Sequence, residues 1–235
     1  MKASIIIPAY NEEKHIEAAI KAALAQDHDG FDYEVIVVDN VSTDRTSEVA
    51  KKFPVKVLYE GRLGTQWARE CGRQAAAGEI IANLDSDCLP DRDWLSKGLA
   101  HFTDQRVVAV SGPYDYYDAS TSFRAVSLFS QKYIYATINV LAQFLRRGAV
   151  VIGGNILLRA SALEKAGGYD TAFTFYGDDP DTGQRMMRQG KVVFDKNLVV
   201  KTSARRFKNQ GTFKIVSLYF FYFFKILFQP DKKTN

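Results

Sequence analysis

Cysteine and histidine are scarce: Cys71 and Cys88, with His15, His28 and His101, are all that 235 residues carry. Two thiols make no disulfide framework, their spacing matches no metal motif, and no histidine stands near either in sequence, which argues against zinc. No Gly-x-Gly-x-x-Gly follows the first apolar run, which disfavours a dinucleotide-dependent dehydrogenase. The opening apolar stretch is far too short for a secretory signal and is soon followed by Asn11-Glu12-Glu13, so the bulk of the protein is expected to be cytoplasmic. No low-complexity linker or internal repeat divides the chain.

What is present is 46% apolar residues, enough to supply the core of one large α/β domain. The expected organisation is one domain over 1–210 and an apolar, basic C-terminal helix over 211–235. The net charge of +4 is unevenly spread. From Lys201 onward eight basic residues face only Asp231, leaving that segment at +7 and the preceding chain at −3. A basic segment beside an aromatic run suits anionic lipid headgroups or phosphates, ordinary solubility charge being the alternative, and no nucleic-acid partner is expected.

Residues 3–7 form a β-branched run ended by Pro8, a buried strand. Asn11 is expected to cap a helix carrying Ile16, Ala19, Ile20, Ala23 and Leu24 at helical spacing. Residues 33–38 and 55–59 read as further strands, with Ser42-Thr43-Asp44 capping the helix between them. A turn at Gly61 and Gly64 then leads to a helix over about 65–77. Strands alternating with helices over short loops imply a mostly parallel sheet with right-handed crossovers. Pro90-Asp91 should open a helix through Trp94, Leu95, Leu99 and Phe102, followed by a strand at 107–110. Residues 123–145 read as a helix whose Phe, Tyr and Ile stripe belongs to the core, with an acceptor groove as the alternative. Residues 150–158 read as a strand interrupted by Gly153-Gly154, the mark of a bulge or of backbone approaching a ligand. Ser161 and Glu164 fit a capping box, and Gly167-Gly168 the matching helix stop.

Two acidic clusters stand out. Residues 79–89 form a buried strand that delivers Asp85 and Asp87 at its carboxyl end, where open α/β sheets bind ligands. Two carboxylates there offer oxygen ligands to a hard cation bridging a nucleotide's phosphates, unless Asp-Ser-Asp simply opens a solvated turn. The second cluster, Asp178, Asp179 and Asp181, precedes a helix and follows Phe175-Tyr176. Such acids complement a helix dipole, but three together beside aromatics that dry the site point to a base among them.

The ordered set Pro8-Ala9-Tyr10-Asn11-Glu12, then 38–46 (Val-Asp-Asn-Val-Ser-Thr-Asp-Arg-Thr), Gly64 with Ala68-Arg69-Glu70-Cys71-Gly72, Asp85-Ser86-Asp87, Gly153-Gly154-Asn155 and Gly177-Asp178-Asp179-Pro180-Asp181 resembles the family 2 glycosyltransferases, inverting enzymes of the GT-A fold. The resemblance implies a Rossmann-like α/β sheet flanked by helices, a nucleotide-diphosphate sugar as donor, and Mg²⁺ or Mn²⁺ as cofactor. By it, Pro8, Tyr10 and Glu12 line the base and ribose pocket, and Asp39 accepts a hydrogen bond from the base. Arg69 reaches the nucleotide, Asp85 faces ribose or a metal-bound water, and Asp87 ligates the cation. Asp179 aligns with the family's catalytic aspartate. Asp178 stands where glutamate is commoner and supports it, while Asp181 becomes a cap or support. The Gln-x-x-Arg-Trp motif of processive members is replaced by Thr202-Ser203-Ala204-Arg205-Arg206-Phe207, which implies transfer of a single sugar. Arg205 and Arg206 could still grip the diphosphate, a solvated basic turn being the alternative.

Residues 215–228 are the most apolar piece. As a helix they would reach about 21 Å, short of the ~30 Å hydrocarbon core, and Lys225 interrupts them. A helix in the membrane interface is favoured over a packing or dimer helix and over a true span. The acceptor is then expected to be a lipid-linked or cell-envelope glycan at the inner face of the cell membrane, with a homo-oligomer possible. Two other functions compete: a sugar nucleotidyltransferase, which would need a Gly-rich basic loop where Pro8–Glu12 stand, and a non-catalytic nucleotide-sugar-binding membrane partner.

Overall fold

The computed structural model describes residues 1–173 and 177–227. In chain order it runs β1 (Lys2–Ala9), α1 (Ile16–Leu24), β2 (Asp32–Asp39), α2 (Thr46–Ala50), β3 (Lys56–Tyr59), α3 (Thr65–Ala75), β4 (Ile80–Leu84), β5 (Leu89–Pro90), α4 (Trp94–Ala100), β6 (Val107–Ser111) and β7 (Tyr114–Tyr116). It continues with α5 (Thr121–Phe129), a π-helical stretch (Ser130–Tyr135), α6 (Ala136–Phe144), β8 (Asn155–Arg159), α7 (Ala160–Lys165), α8 (Asp178–Met187), β9 (Lys191–Phe194), β10 (Val200–Thr202), α9 (Arg205–Gln210) and α10 (Thr212–Leu227). The main sheet has seven strands in the order β3-β2-β1-β4-β8-β6-β9. It is mostly parallel, as expected, with β8 antiparallel to both neighbours.

Strand periodicity explains the layers. Ile5, Ile7, Val35, Val37, Ile80 and Ala82 enter one core, while Ile6, Ile36, Val38 and Ile81 enter another on the opposite face. Both faces of the central strands are therefore dry, which is why they read as unbroken apolar runs. Each such isoleucine contributes about 2–3 kcal/mol by leaving water.

A second, three-stranded sheet, β5-β10-β7, positions the site. It ties the chain just after Asp87 to the chain just before Arg205, with β10 antiparallel to β5 and parallel to β7. Pro90 thus sits in this sheet, and α4 begins only at Trp94.

Several local expectations are corrected. Asn11 is not a helix cap: at φ 53° its Oδ1 accepts the Thr43 amide, and α1 begins at Ile16 with no side-chain cap. Ser161 lies inside α7, whose first residue, Ala160, donates its amide to the Glu79 carbonyl, so no capping box forms. Gly167 and Gly168 do end α7, both at positive φ. Strand β8 starts at Asn155, not at 150, because the Gly153-Gly154 turn closes through Asn155 N–H to Ile152 C=O at 2.9 Å. The helical run 121–144 is not core: α5 buries no residue and α6 only Asn139 and Ala142.

Asn155, fully buried, locks this architecture. Its Nδ2 donates to the Leu198 carbonyl at 2.7 Å and to that of Pro113 at 3.2 Å, and its Oδ1 accepts Trp94 Nε1–H at 2.8 Å. Replacing it by Ala would orphan those groups, and an unsatisfied buried polar atom costs about 1–3 kcal/mol. Asn155→Ala is therefore expected to lower unfolding free energy in urea by about 3 kcal/mol, and a loss below about 1 kcal/mol would remove Asn155 from this role.

Candidate active site

The carboxyl ends of β1, β2 and β4 open into a cavity of ≈ 780 Å³. Its polar wall is built by two loops laced together. Asn11 N–H donates to Ser42 Oγ, Glu12 N–H to Thr46 Oγ1 at 2.7 Å, and Glu13 N–H to Asp44 Oδ2. Asp44 also accepts the Thr46 amide; of the predicted capping cluster it alone touches the start of α2, whose N-cap, Arg45, makes no side-chain cap, while Ser42 and Thr43 bond Asn11. Asn40 fixes the next loop: its Nδ2 donates to the Glu60 and Arg62 carbonyls, and its Oδ1 accepts Gly64 N–H at 2.8 Å. Gly64, at φ 144°, can then launch α3 and carry Arg69 inward.

Of the residues expected to bind the donor, Pro8, Tyr10, Glu12, Arg69, Asp85, Asp87, Arg205 and Arg206 line the cavity, as do Asp178 and Asp179. Asp39 is not among the lining residues. It is buried, its Oδ1 accepts the Ser42 amide at 3.1 Å, and Asn40 faces the space instead.

Arg69 is the centre of the charge distribution. Its buried guanidinium lies 3.1 Å from Asp85, 3.4 Å from Asp178 and 3.9 Å from Asp179. Burial works against its charge, but the three carboxylates outweigh that and hold its pKa above the ordinary arginine value. Asp178 is further held by Gln66 Nε2 at 2.6 Å. Burial and the adjacent Asp178 carboxylate push Asp179 up, against the pull of Arg69 and a hydrogen bond from the Gly153 amide. Asp181, by contrast, pairs with Arg185 at 2.7 Å along α8, a support as expected. Phe175 and Tyr176 lie outside the described residues.

The glycine pair stands between the two acidic clusters. A Cβ on Gly153 would meet Asp179 Oδ1 at 2.1 Å and Arg69 Nη1 at 2.7 Å; one on Gly154 would meet Asp85 and the Tyr114 hydroxyl, each at 2.1 Å. Only bare backbone allows both carboxylates to face one space.

On the other side, Thr202 Oγ1 donates to Asp87 Oδ1 at 3.1 Å, and Arg205 Nε lies 3.1 Å from Asp87 Oδ2. The same guanidinium engages both oxygens of Glu12. Burial, with Asp85 and Glu12 nearby, raises Asp87 despite Arg205. Arg205 thus neutralises an acidic pair rather than lying as a solvated turn.

Three participants had no role assigned from the sequence. Buried Tyr114 donates its hydroxyl to Asp85 Oδ2 at 3.0 Å, and Gln66 and Thr202 each hold a carboxylate. Only the aromatic cluster at 114–117 hinted at the first.

Among the described residues no group of three or more His, Cys, Asp or Glu forms a ready metal cage. Two hard oxygen donors, Asp85 and Asp87, nonetheless face the cavity, and Mg²⁺-type sites commonly use one or two carboxylates and complete themselves with phosphate and water. The donor types suit such an ion, with the four carboxylate oxygens engaged here by Arg69, Tyr114, Thr202 and Arg205.

The glycosyl transferase family 2 model matches residues 4–167. The chain belongs to this family. Similar proteins include the glycosyltransferase AglE of Haloferax volcanii, 32% identical over 157 residues, covering 60% of this chain and 52% of AglE. Chondroitin synthase of Escherichia coli is 27% identical over 226 residues, covering 80% of this chain and 32% of the synthase. The chain therefore spans about half the length of the first and a third of the second. Among solved structures, the mannosyltransferase PcManGT of Pyrobaculum calidifontis, in complex with GDP-Man and Mn²⁺, superposes with TM-score 0.73 at 23% identity, covering 97% of this chain and 65% of PcManGT. Glucosyl-3-phosphoglycerate synthase of Mycobacterium tuberculosis gives 0.66 at 20% identity, covering 98% and 81%. These likenesses place the fold in the GT-A class.

The family 2 site makes a prediction independent of turnover. In a ¹³C carboxyl NMR titration Asp179 is expected to ionise well above the ordinary aspartate value of about 3.9, and Asp178→Asn to move it down by removing a like charge. An Asp179 titration at the ordinary value, unmoved by Asp178→Asn, would contradict the arrangement.

Proposed function

We propose that the protein is an inverting glycosyltransferase that moves a single sugar from a nucleotide-diphosphate donor to an acceptor hydroxyl. The observation that carries the reading is that Asp85, Asp87 and Asp179 face one cavity across the Gly153-Gly154 turn. Pro8, Tyr10 and Glu12, with Asp39 behind them, would hold the nucleoside in the laced loops. Arg206, and Arg205 on exchanging Glu12 for phosphate, would hold the diphosphate, guanidinium being suited to bidentate phosphate contact. Asp85 and Asp87 would hold Mg²⁺ or Mn²⁺, which when bound supplies positive charge where the leaving diphosphate gains negative charge.

Asp179 would accept the proton of the acceptor hydroxyl as that oxygen bonds to the anomeric carbon. The bond from that carbon to the diphosphate oxygen breaks on the opposite face, so configuration inverts. Its raised pKa keeps the carboxylate basic enough to take a proton yet ionised above that pKa. Asp178 and Arg69 set its position and charge.

The acceptor end of the cavity supports a finer reading. Phe123, Val126, Tyr135, Ile138, Val150 and Val216 line it, a wall suited to an apolar substituent on a lipid-linked or cell-envelope glycan. Among the described residues no helix is long and apolar enough to cross a membrane. The same proposal treats 1–210 as the catalytic domain and 211–235 as an appendage making peripheral contact with the cytoplasmic face of a membrane. Phe228 and the residues after it lie outside the described ones.

Asp179→Asn is expected to retain donor binding by calorimetry and lose transfer by at least about 10²–10⁴-fold, the range general bases supply. Unchanged transfer would remove Asp179 from this role, and lost donor binding with it would favour a structural part. Chelation with EDTA, or Asp87→Ala, is expected to weaken binding of a nucleotide-diphosphate sugar together with its dependence on added Mn²⁺. Metal-dependent binding that survives Asp87→Ala would contradict the cation assignment.

A further inference from the structure

The helical run 121–144 keeps a continuous apolar face in water. Val126 is 70% exposed, Phe129 61%, Val140 70% and Phe144 82%, with Tyr133, Ile134, Leu141 and Leu145 also about half exposed. Residues 126, 129, 133, 137, 140 and 144 follow one another in steps of three or four, so they form a single stripe. Twenty-four residues of helix extend it over about 36 Å. A monomer in water does not ordinarily leave so long an apolar patch bare.

Its charges indicate what covers it. No aspartate or glutamate occurs from 119 to 163, whereas Arg124, Lys132, Arg146 and Arg147 lie in or just after the run. Arg124 is engaged by Asp115, but Arg146 and Arg147 are exposed at the stripe's end. Lys196, from the turn after β9, places its Nζ 5.9 Å from the Tyr133 ring centre. An apolar stripe whose own segment carries cations and no acid, with Asp115 spent on Arg124, matches the interface of an anionic bilayer, where apolar side chains enter the acyl boundary and cations meet phosphate. A second copy of the same helix would bring like charges together with no acid to pair them. Helix α10 also exposes aromatic residues, Phe213 at 87% and Phe221 at 60%. Both helices border the cavity, through Val126 and Val216.

We infer that the 121–144 helix, with Arg146 and Arg147, is a docking surface for an anionic lipid bilayer, in addition to any contact made by the C-terminal segment. It seats the cavity mouth against the membrane. The inference extends the membrane part of the proposed function but not its chemistry, and its readout needs no turnover.

The test is sedimentation of the full chain with sucrose-loaded vesicles of phosphatidylcholine, with and without 30–40% phosphatidylglycerol (on the order of a natural anionic content). Binding is expected to anionic vesicles only and to weaken with salt. The triple substitution Phe129→Asp, Val140→Asp and Phe144→Asp, all at exposed positions outside the cavity lining, is expected to lower the partition coefficient by roughly tenfold or more. Arg146→Glu with Arg147→Glu is expected to lower it while leaving the circular dichroism and melting curve unchanged. Binding retained by both variants but lost in Phe213→Asp with Phe221→Asp would assign docking to the C-terminal helix alone and overturn the inference. So would a wild-type chain that ignores anionic vesicles, or a dimer in light scattering that the triple substitution dissociates.

Discussion

One buried guanidinium holds the site together. Arg69 approaches Asp85 at the end of β4 and Asp178 and Asp179 at the start of α8, elements far apart in sequence. Without its charge, three carboxylates around one dry space would repel each other, and at least one would protonate. With it, both acidic clusters stay close to the same space. The cost is a desolvated cation, and a buried ion pair stabilises only when its geometry and remaining hydrogen bonds are good. Gln66, Tyr114 and the Gly153 amide supply such bonds to the carboxylates, while Arg69 Nε and Gln66 Oε1 are buried with no hydrogen-bond partner among the described residues.

The rest of the fold presents parts to this centre. The main sheet delivers β1, β2 and β4 with their carboxyl ends toward the cavity, and the laced loops after β1 and β2 form a polar pocket beside it. The small β5-β10-β7 sheet brings Asp87, Tyr114, Thr202 and Arg205 from three distant stretches to the opposite wall. Two cationic anchors result. Arg69 serves the buried side and Arg205 the half-exposed side, so the acidic residues of the cavity divide between them.

Much of this was legible in the sequence because the parallel strands are buried on both faces and read as short apolar runs, although β1 continues through Pro8 to Ala9 rather than stopping at the proline. The candidate site residues come from ordered motifs, and most of them face the cavity. What was not legible has physical causes. Asn11 and Ser161 match capping patterns, but tertiary hydrogen bonds to Thr43 and the β4–β8 junction decide those loops. The small sheet rests on strands of two or three residues, too short for any periodicity to register. The 123–145 stripe has a core helix's composition, and only the three-dimensional arrangement puts it at the surface. Tyr114 and Gln66 hold carboxylates from positions that carry no motif, and Thr202 does so from a segment read only for its arginines.

The central claim is that Arg69 and the acids of α8 act as one electrostatic unit. A double-mutant cycle on stability tests it directly, using Arg69→Met, Asp178→Asn and the pair. Arg69→Met alone should cost about 3–5 kcal/mol, because it leaves buried carboxylates uncompensated. Adding Asp178→Asn should recover part of that loss, giving a coupling free energy of about 1–3 kcal/mol. Additive losses, with coupling within about 0.5 kcal/mol of zero, would mean that the arginine and the aspartate do not depend on each other, and the account of the site would fail with them.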